Sequence, residues 1–338
     1  MGLTFEMEMG RAIVPSGNNM QPDYLGIWER IAPYWDDFVG DDGNQFQQTL
    51  IMPATDQLLA LQPGETVLDV ACGNGNYSRR MAAAGAIVTG FDGAPHFIER
   101  ARERTKSVGL NVDYFVQDAT DEAGLEQLGE QRFDAAVSSM AIMDFDQLEP
   151  LLRAVHRALK PGGRFVFSIP HPCFNSNSPV MTAELEEQDG RLEHIYGVKV
   201  TRYKSEGWSY TRGLLHQPEP HYLMHRTFQT LFNVAFKAGF VVDGFEEPCF
   251  PWQQKGKNVF SWPKRPDIPP AVVPSPNTVT IRATSTAVPT AIGSATVTVI
   301  PPVSLTAVSP TAVPVGAFML SLTGTGFGPG SVVSLGGT

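Results

Sequence analysis

The sequence predicts an α/β fold in which a doubly wound, mostly parallel sheet is covered by helices on both faces. Two observations support this prediction. Between residues 66 and 169, short apolar segments alternate with segments of helical period, which is typical of a parallel sheet. The first three apolar segments each run into an acidic residue, and a glycine-rich turn follows the first. Because ligands bind at the carboxyl ends of parallel strands, we expect these acids to line one crevice.

The predicted elements follow one another in a regular order. Strands are predicted near residues 66–71, 86–92, 111–116, 134–139 and 163–169, and helices near 76–84, 94–106, 122–129 and 147–158. The alternation stops after the fifth strand and resumes with an amphipathic helix over 227–239, which ends at a glycine. A sixth strand over 240–248 follows this helix.

The first strand runs through Asp69 into a turn that contains Gly73 and Gly75. Glycine tolerates positive φ, and the missing Cβ lets a ligand approach the backbone closely. Asp69 would repel phosphates, whereas a dinucleotide site places a pyrophosphate at the start of the following helix. The turn therefore favours a cationic or amino-bearing nucleoside ligand.

This turn resembles the first motif of the class I S-adenosylmethionine (SAM)-dependent methyltransferases, which usually read acidic-x-Gly-x-Gly-x-Gly. Ala71 and Asn76 stand where the first and third glycines are usual. The turn at residues 160–163, Lys-Pro-Gly-Gly, is similar to that of small-molecule methyltransferases of the ubiquinone-biosynthesis type. The resemblance covers roughly residues 20–270. It implies a Rossmann-like methyltransferase fold, SAM as the cofactor and a small-molecule methyl acceptor, but neither the acceptor nor the atom methylated.

The resemblance also implies which positions contact the cofactor. Asp92, 17 residues after Gly75, would accept the ribose hydroxyls at the end of the second strand. Asp118, with the backbone of Ala119 beside it, would receive the adenine amino group at the end of the third strand. The other expected cofactor contacts are Asp69, Ala71, Gly73, Gly75, Asn76, Gly93, Ser138 and Met140.

Residues 170–226 are rich in His, Tyr, Trp and Pro and leave the carboxyl end of the fifth strand, so we expect this insertion to build the acceptor pocket. We predict that His171 is the general base and contacts the substrate. Further predicted substrate contacts are Trp35, Tyr210 and His225. The alternative for His171 is that it caps a turn beside Pro170 and Pro172. The histidines of the insertion lack zinc-ligand spacing, so no metal is expected.

Composition and pattern divide the chain into three predicted segments: a helical cap over residues 1–62, a methyltransferase-like domain over 63–273 and an incomplete tail over 274–338. All 35 acidic residues precede residue 271, and Arg282 is the only charged residue after it. The tail resembles parts of two bacterial Ig-like repeats. Its 65 residues are too few for such a sandwich, which needs roughly 100 residues and about seven strands, so we interpret the tail as a fusion remnant or truncated array.

The sheet of the resembled family usually closes with a seventh, antiparallel strand. The candidate here is residues 268–273, which run almost at once into Pro274 and Pro276. Proline cannot donate to a ladder and avoids central strands. We therefore expect this strand to be cut short.

The formal net charge of −10 disfavours non-specific binding to nucleic acid or to an anionic membrane. Three widely separated cysteines, together with an N-terminus that has neither a leader pattern nor a spanning segment, indicate a cytoplasmic protein. The oligomeric state is not indicated.

Two other functions stay open. The first is a nicotinamide-dependent oxidoreductase, although the turn lacks the third small glycine that packs helix on strand. The second is a non-catalytic surface-binding protein that depends on the Ig-like tail, which would need an export signal.

Overall fold

The computed structural model describes residues 23–176, 179–214, 216–254, 256 and 258–278, together with the backbone of five strands between residues 281 and 336. Residues 1–22 of the predicted cap lie outside the described residues. Within the described part of the chain, no helix is both long enough and apolar enough to cross a bilayer.

Two helical segments precede the sheet. Helix α1 (Tyr24–Val39) begins after Asp23, whose carboxylate accepts a hydrogen bond from the Gly26 backbone N–H at 2.9 Å. A π-helical segment (Gln47–Ile51) continues directly into α2 (Met52–Leu59). Helix α2 packs on the sheet, whereas α1 and the loop that follows it lie over the carboxyl edge.

The central part of the chain alternates strand and helix as predicted. Its elements are β1 (Thr66–Val70), α3 (Asn76–Ala83), β2 (Ile87–Asp92), α4 (Pro95–Ser107), β3 (Asp113–Val116), β4 (Phe133–Ser139), α5 (Glu149–Ala158) and β5 (Leu159–Pro170). The helix expected over 122–129 is only a 3-10 turn (Gly124–Leu128), which ends at Gly129 with a φ of 75°. A second 3-10 turn (Ile142–Asp144) follows β4.

The insertion after β5 forms two hairpins. The first joins β6 (Val180–Gln188) to β7 (Arg191–Lys199), and the second joins β8 (Gly207–Thr211) to β9 (His221–His225). The core then resumes with α6 (Phe228–Lys237), β10 (Val241–Glu246), a 3-10 turn (Trp262–Lys264) and β11 (Ala271–Asn277).

The seven-stranded sheet has the order β10-β11-β5-β4-β1-β2-β3. Strands β1 to β5 are parallel, and β11 is antiparallel to both of its neighbours. The strand order reverses at β1, which pairs with β2 on one side and with β4 on the other. The predicted doubly wound, mostly parallel sheet is confirmed, and its switch point lies where the predicted crevice should be.

Strand β11 is longer than expected, since it continues through Pro274 and Pro276 to Asn277 and crosses the predicted boundary at residue 273. Its pairing with β10 includes every residue from Val273 to Asn277, whereas its pairing with β5 is confined to Ala271, Val272 and Asn277. The two prolines are two residues apart, so both missing N–H groups face the same neighbour. The prolines therefore interrupt one ladder and leave the other continuous.

The core has a layer on each face of the sheet. One face joins Leu68, Phe91 and Phe165 to α5 and α6, and the other joins Val67 and Val166 to α2 and α3. Neighbouring residues of β1 thus point to opposite faces, as the period of a strand requires. Neither layer covers the carboxyl edge of the sheet, which is covered by other elements.

The second hairpin covers that edge together with α1. The Tyr24 ring stacks on Trp208 with centroids 4.6 Å apart, and the rings of Trp28 and His221 are 4.9 Å apart. These contacts join the β8–β9 hairpin to the α1 helix above the switch point.

Five strands are described in the tail: β12 (Ile281–Thr284), β13 (Ile292–Val297), β14 (Ser304–Ser309), β15 (Ser321–Thr325) and β16 (Val333–Gly336). They form a β12-β13-β16 sheet and a separate β14-β15 sheet. The Ig-like interpretation and the division at residue 273 stay predictions.

Candidate active site

A cavity of about 760 Å³ lies at the carboxyl ends of β1 to β4. Its volume falls within the range of about 300–1,000 Å³ that small-molecule sites occupy. The walls also include α1, the loop that follows it, the β8–β9 hairpin and the loop between β10 and β11. The predicted crevice is therefore closed on several sides.

The turn after β1 has three residues with positive φ: Ala71 at 52°, Gly73 at 54° and Gly75 at 74°. Ala71 occupies the left-handed region, which explains why glycine is usual at that position. Gly73 lines the cavity, and a Cβ there would have no other atom within 4 Å. The missing side chain at Gly73 thus leaves space for a ligand against the backbone.

Gly75 has a different role from the one expected, since it does not line the cavity. A Cβ at this position would clash with the Tyr114 hydroxyl and stand 2.9 Å from the Cβ of Ala101. The glycine is therefore required for packing the turn against β3 and α4, and its contact with the cofactor stays a prediction.

Asp92 lies in the cavity wall at the end of β2. One carboxylate oxygen accepts a hydrogen bond from the Gly73 N–H, and the other accepts one from the Ala94 N–H, both at 2.9 Å. Burial raises the pKa of Asp92 to about 6, against the lowering effect of these hydrogen bonds. The bonds fix the carboxylate while leaving lone pairs for a ligand.

Asp69 is only 1% exposed, and its carboxylate accepts a hydrogen bond of 2.5 Å from the Ser78 hydroxyl. Burial, with the charge of Asp92, raises the pKa of Asp69 to about 7. Asp37, Asp118 and Asp144 also line the cavity, so that five aspartates face it together with Asp69 and Asp92. The described lining residues include no lysine or arginine. This arrangement attracts a cation and repels a pyrophosphate.

Most other expected cofactor contacts reach the same cavity, namely Ala71, Asn76, Gly93, Asp118, Ala119 and Met140. Asp118 accepts hydrogen bonds from the backbone and hydroxyl of Thr120, both at 2.8 Å. Ser138 is fully buried within β4 and does not line the cavity, because its side chain points into the protein from a strand interior.

Residues 68–167 match a methyltransferase domain family. A structure of a SAM-dependent methyltransferase from Mesorhizobium loti is 28% identical with a TM-score of 0.52, and covers 67% of this chain and 96% of that one. This chain carries a class I SAM-dependent methyltransferase domain.

Curated relatives of the methyltransferase domain are similar over shorter stretches. An uncharacterized methyltransferase from Synechocystis is 38% identical over 112 residues, which are 32% of this chain and 48% of that protein. A ubiquinone biosynthesis O-methyltransferase from Xanthomonas axonopodis is 40% identical over 109 residues, which are 32% of this chain and 44% of that protein. The chain thus spans about half the length of these relatives.

Most of the residues predicted to contact the acceptor do not line the cavity. His171 does not line the cavity and is only 2% exposed. Its Nε2 lies 2.7 Å from the Glu247 carboxylate, and its Nδ1 accepts a hydrogen bond from the Cys173 N–H at 3.1 Å. Burial lowers the pKa of His171, with Glu247 opposing. Both ring nitrogens are therefore occupied by protein groups. The bond from the Cys173 N–H agrees with the alternative interpretation, in which His171 caps a turn.

Tyr210 and His225 are likewise not placed at the cavity. His225 pairs through Nδ1 with the Ser176 hydroxyl at 2.7 Å and through Nε2 with the Tyr203 carbonyl at 2.8 Å. Tyr210 packs on Tyr222 with ring centroids 4.7 Å apart. Of the four expected substrate contacts, only Trp35 lines the cavity.

Several residues that line the cavity were not predicted from the sequence. They include Phe97, Asp144, Phe145, Leu214, His221, Phe250, Phe260 and Trp262. Asp144 had a signal in the sequence, since it is an acid among Ile142, Met143 and Phe145 just after the fourth strand. The residues from the loop between β10 and β11 had none, because that loop reaches the cavity only through the fold.

Proposed function

We propose that this chain transfers a methyl group from SAM to a small-molecule acceptor. The main support is that five aspartates face one cavity beside the Gly73 turn. The described lining residues include no lysine or arginine. A sulfonium cofactor is cationic, and the acids favour it, whereas the pyrophosphate of a nicotinamide cofactor would be repelled. Membership in the methyltransferase family supports the same conclusion.

The residues of the cavity fit the parts of SAM. Asp92, held by the Gly73 and Ala94 backbones, would accept the ribose hydroxyls. Asp118 and Ala119 at the end of β3 would contact the adenine. Gly73 leaves room for the ligand at the turn, and Asp69 with Met140 would border the amino acid portion.

SAM, when bound, supplies a methyl group on a positively charged sulfur. The protein then has to place the acceptor in line with that group and exclude water. The α1 helix and the β8–β9 hairpin are suited to water exclusion, since Trp28 and Trp35 pack against His221 over the cavity. No covalent enzyme intermediate is required for this reaction.

The acceptor side of the cavity is largely apolar and aromatic. Trp28, Phe145, Phe250, Phe260 and Trp262 all line it. Such walls suit a small, flat or apolar acceptor better than a highly charged one. One relative is named a ubiquinone biosynthesis O-methyltransferase, which supports a small molecule as the acceptor of this chain.

Calorimetry with SAM and with NAD tests the proposal, followed by mass spectrometry for a mass gain of one methyl group in a panel of phenols, quinone precursors and amines. Asp92→Ala should weaken SAM binding by about 1–3 kcal/mol, since ribose hydroxyls lose a charged partner in a closed site. Asp113→Ala is the matched control, because Asp113 is an exposed acid at the opposite end of β3. Binding of NAD with no binding of SAM would refute the proposal.

A further inference from the structure

Asp144 is one of the five aspartates of the cavity, but the fit of SAM to the cavity gives it no contact with the ribose, the adenine or the amino acid portion. It ends the 3-10 turn that follows β4, where its backbone N–H donates to the Ala141 carbonyl at 2.8 Å. The residue lines the cavity and is 8% exposed. Its Oδ1 atom is fully shielded and has no hydrogen-bond partner among the described residues.

The turn that carries Asp144 is anchored by Arg226. The guanidinium donates to the carbonyl of Phe145 at 2.6 Å, to that of Asp146 at 2.8 Å and to that of Ile142 at 3.4 Å. Arg226 therefore binds the backbone on both sides of Asp144. The turn is fixed by these bonds, and the carboxyl group is left for another partner.

An unpaired buried carboxyl is costly for the fold. A buried polar group without a hydrogen bond costs about 1–3 kcal/mol, and a charged group costs more. Native proteins seldom retain such a group unless it has a function or a ligand supplies the missing partner. Burial and the charge of Asp92 both raise the pKa of Asp144, and no protein hydrogen bond offsets them.

Asp144 differs in this respect from the acids assigned to the cofactor. Asp69, Asp92 and Asp118 each accept hydrogen bonds from neighbouring protein groups. Asp144 follows β4 and lies beside Met143 and Phe145, which are part of the apolar side of the cavity. This position is next to the cofactor acids but belongs to the wall assigned to the acceptor.

We propose that Asp144 binds the methyl acceptor by accepting a hydrogen bond from the hydroxyl or amine that becomes methylated. The inference rests on the proposed function and specifies its substrate class, an O–H or N–H nucleophile on a small apolar body. During transfer, a lone pair of the nucleophile forms the new bond to the methyl carbon. The electrons of the broken sulfur–carbon bond stay on sulfur, and the proton of the nucleophile passes to the Asp144 carboxylate.

The test uses the full chain saturated with S-adenosylhomocysteine and four probes. Catechol and aniline carry the hydrogen-bond donor, whereas 1,2-dimethoxybenzene and N,N-dimethylaniline are the matched probes without it. Calorimetry measures each affinity in the wild type, in Asp144→Leu, in the isosteric Asp144→Asn and in the control Asp113→Asn.

We expect the wild type and Asp113→Asn to prefer at least one donor-bearing probe over its methylated partner by about tenfold or more, because the hydrogen bond is made to a buried carboxylate. Asp144→Leu should lose this preference and Asp144→Asn should reduce it, with affinity for S-adenosylhomocysteine unchanged in both. Equal binding within each pair, no binding of any probe, or a preference that survives both substitutions would overturn the inference. Failure of the wild type to bind S-adenosylhomocysteine or SAM would instead contradict the proposed function.

Discussion

Asp36 of α1 accepts a hydrogen bond at 2.9 Å from the Asn74 side-chain amide, which lies between the two glycines of the turn. The same carboxylate pairs with Arg100 at 2.6 Å and with Arg104 at 2.9 Å, and Asp36 is only 2% exposed. One buried acid thus joins the helix over the cavity, the turn after β1 and helix α4. The position of α1 over the cavity depends on this group.

Asp36→Asn should lower the free energy of unfolding by about 2–3 kcal/mol. The substitution removes the buried carboxylate that Arg100 and Arg104 share, and removing one partner of a buried ion pair typically costs about 3–5 kcal/mol. We place the effect at or below the low end because Arg100 is partly exposed. Chemical denaturation measures it. Glu103→Gln is the control, since it breaks only the exposed Arg100–Glu103 pair and should change stability by about 0.5 kcal/mol or less.

The pKa of Asp36 also predicts how the stability of the fold depends on pH. Burial raises its pKa, but the hydrogen bonds from Arg104, Arg100 and Asn74 outweigh burial and lower it from 3.8 to about 2. The contribution of Asp36 is therefore complete above about pH 4 and lost as the pH falls toward 2. Acid titration should show a smaller loss of stability over this window in Asp36→Asn than in the wild type. Parallel curves for the two proteins would contradict the assignment.

SAM affinity should rise between pH 5.5 and 7.5 by roughly tenfold or more. Burial raises the pKa of Asp69 to about 7 and that of Asp92 to about 6, so both bind protons in this range before the cofactor arrives. A cation and ribose hydroxyls favour the carboxylate forms, and binding then releases protons. The effect of Asp69 and Asp92 on the stability of the fold has the opposite pH dependence to that of Asp36. Because their pKa values are raised, their contribution to the free energy of unfolding is complete below about pH 4 and is lost as the pH rises through 6 to 7.

Calorimetry in two buffers with different heats of ionisation measures the released protons. Asp92→Asn should release fewer protons than the wild type. A pH-independent affinity would show that these acids do not face the cofactor.

The helices and strands of the core could be predicted from the hydrophobic period of the sequence. The placement of individual site residues could not, because it depends on the direction in which each side chain points in the packed structure. Asp69, Asp92 and Asp118 follow parallel strands, so strand order alone brings them to one edge. His171 is different: Pro170 lines the cavity, but the next residue turns away and pairs with Glu247 from beyond β10. Asp144 had a signal in the sequence, as an acid among apolar residues after the fourth strand, but its missing hydrogen-bond partner is visible only in the packed structure.

Substitutions of the two glycines of the turn should have different effects on stability and on SAM binding. Gly75→Ala should destabilise the protein by more than about 2 kcal/mol, because the new Cβ clashes with the Tyr114 hydroxyl at a φ of 74°. Gly73→Ala adds a Cβ in open space, so it should cost only about 1 kcal/mol of stability at its positive φ but weaken SAM binding. Thermal denaturation and calorimetry on both variants measure the two effects. An equal loss of stability in both would show that Gly73 is also a packing residue.

The end of β11 predicts where the chain can be shortened. Strand β11 lies between β10 and β5, so a chain ending at residue 270 would expose two interior edges of the sheet and should not fold. A chain ending at residue 280 keeps β11 and Thr278, whose N–H donates to the Gly163 carbonyl at 2.9 Å and whose hydroxyl donates to the Lys160 carbonyl at 3.0 Å.

We expect the longer truncation to bind SAM within about twofold of the full chain, because the two small sheets of the tail are separate from the seven-stranded sheet. Circular dichroism and calorimetry on both truncations measure folding and binding. If the chain ending at residue 280 lost SAM binding, the strands after residue 280 would have to support the methyltransferase domain. The predicted division of the chain near residue 273 would then be wrong.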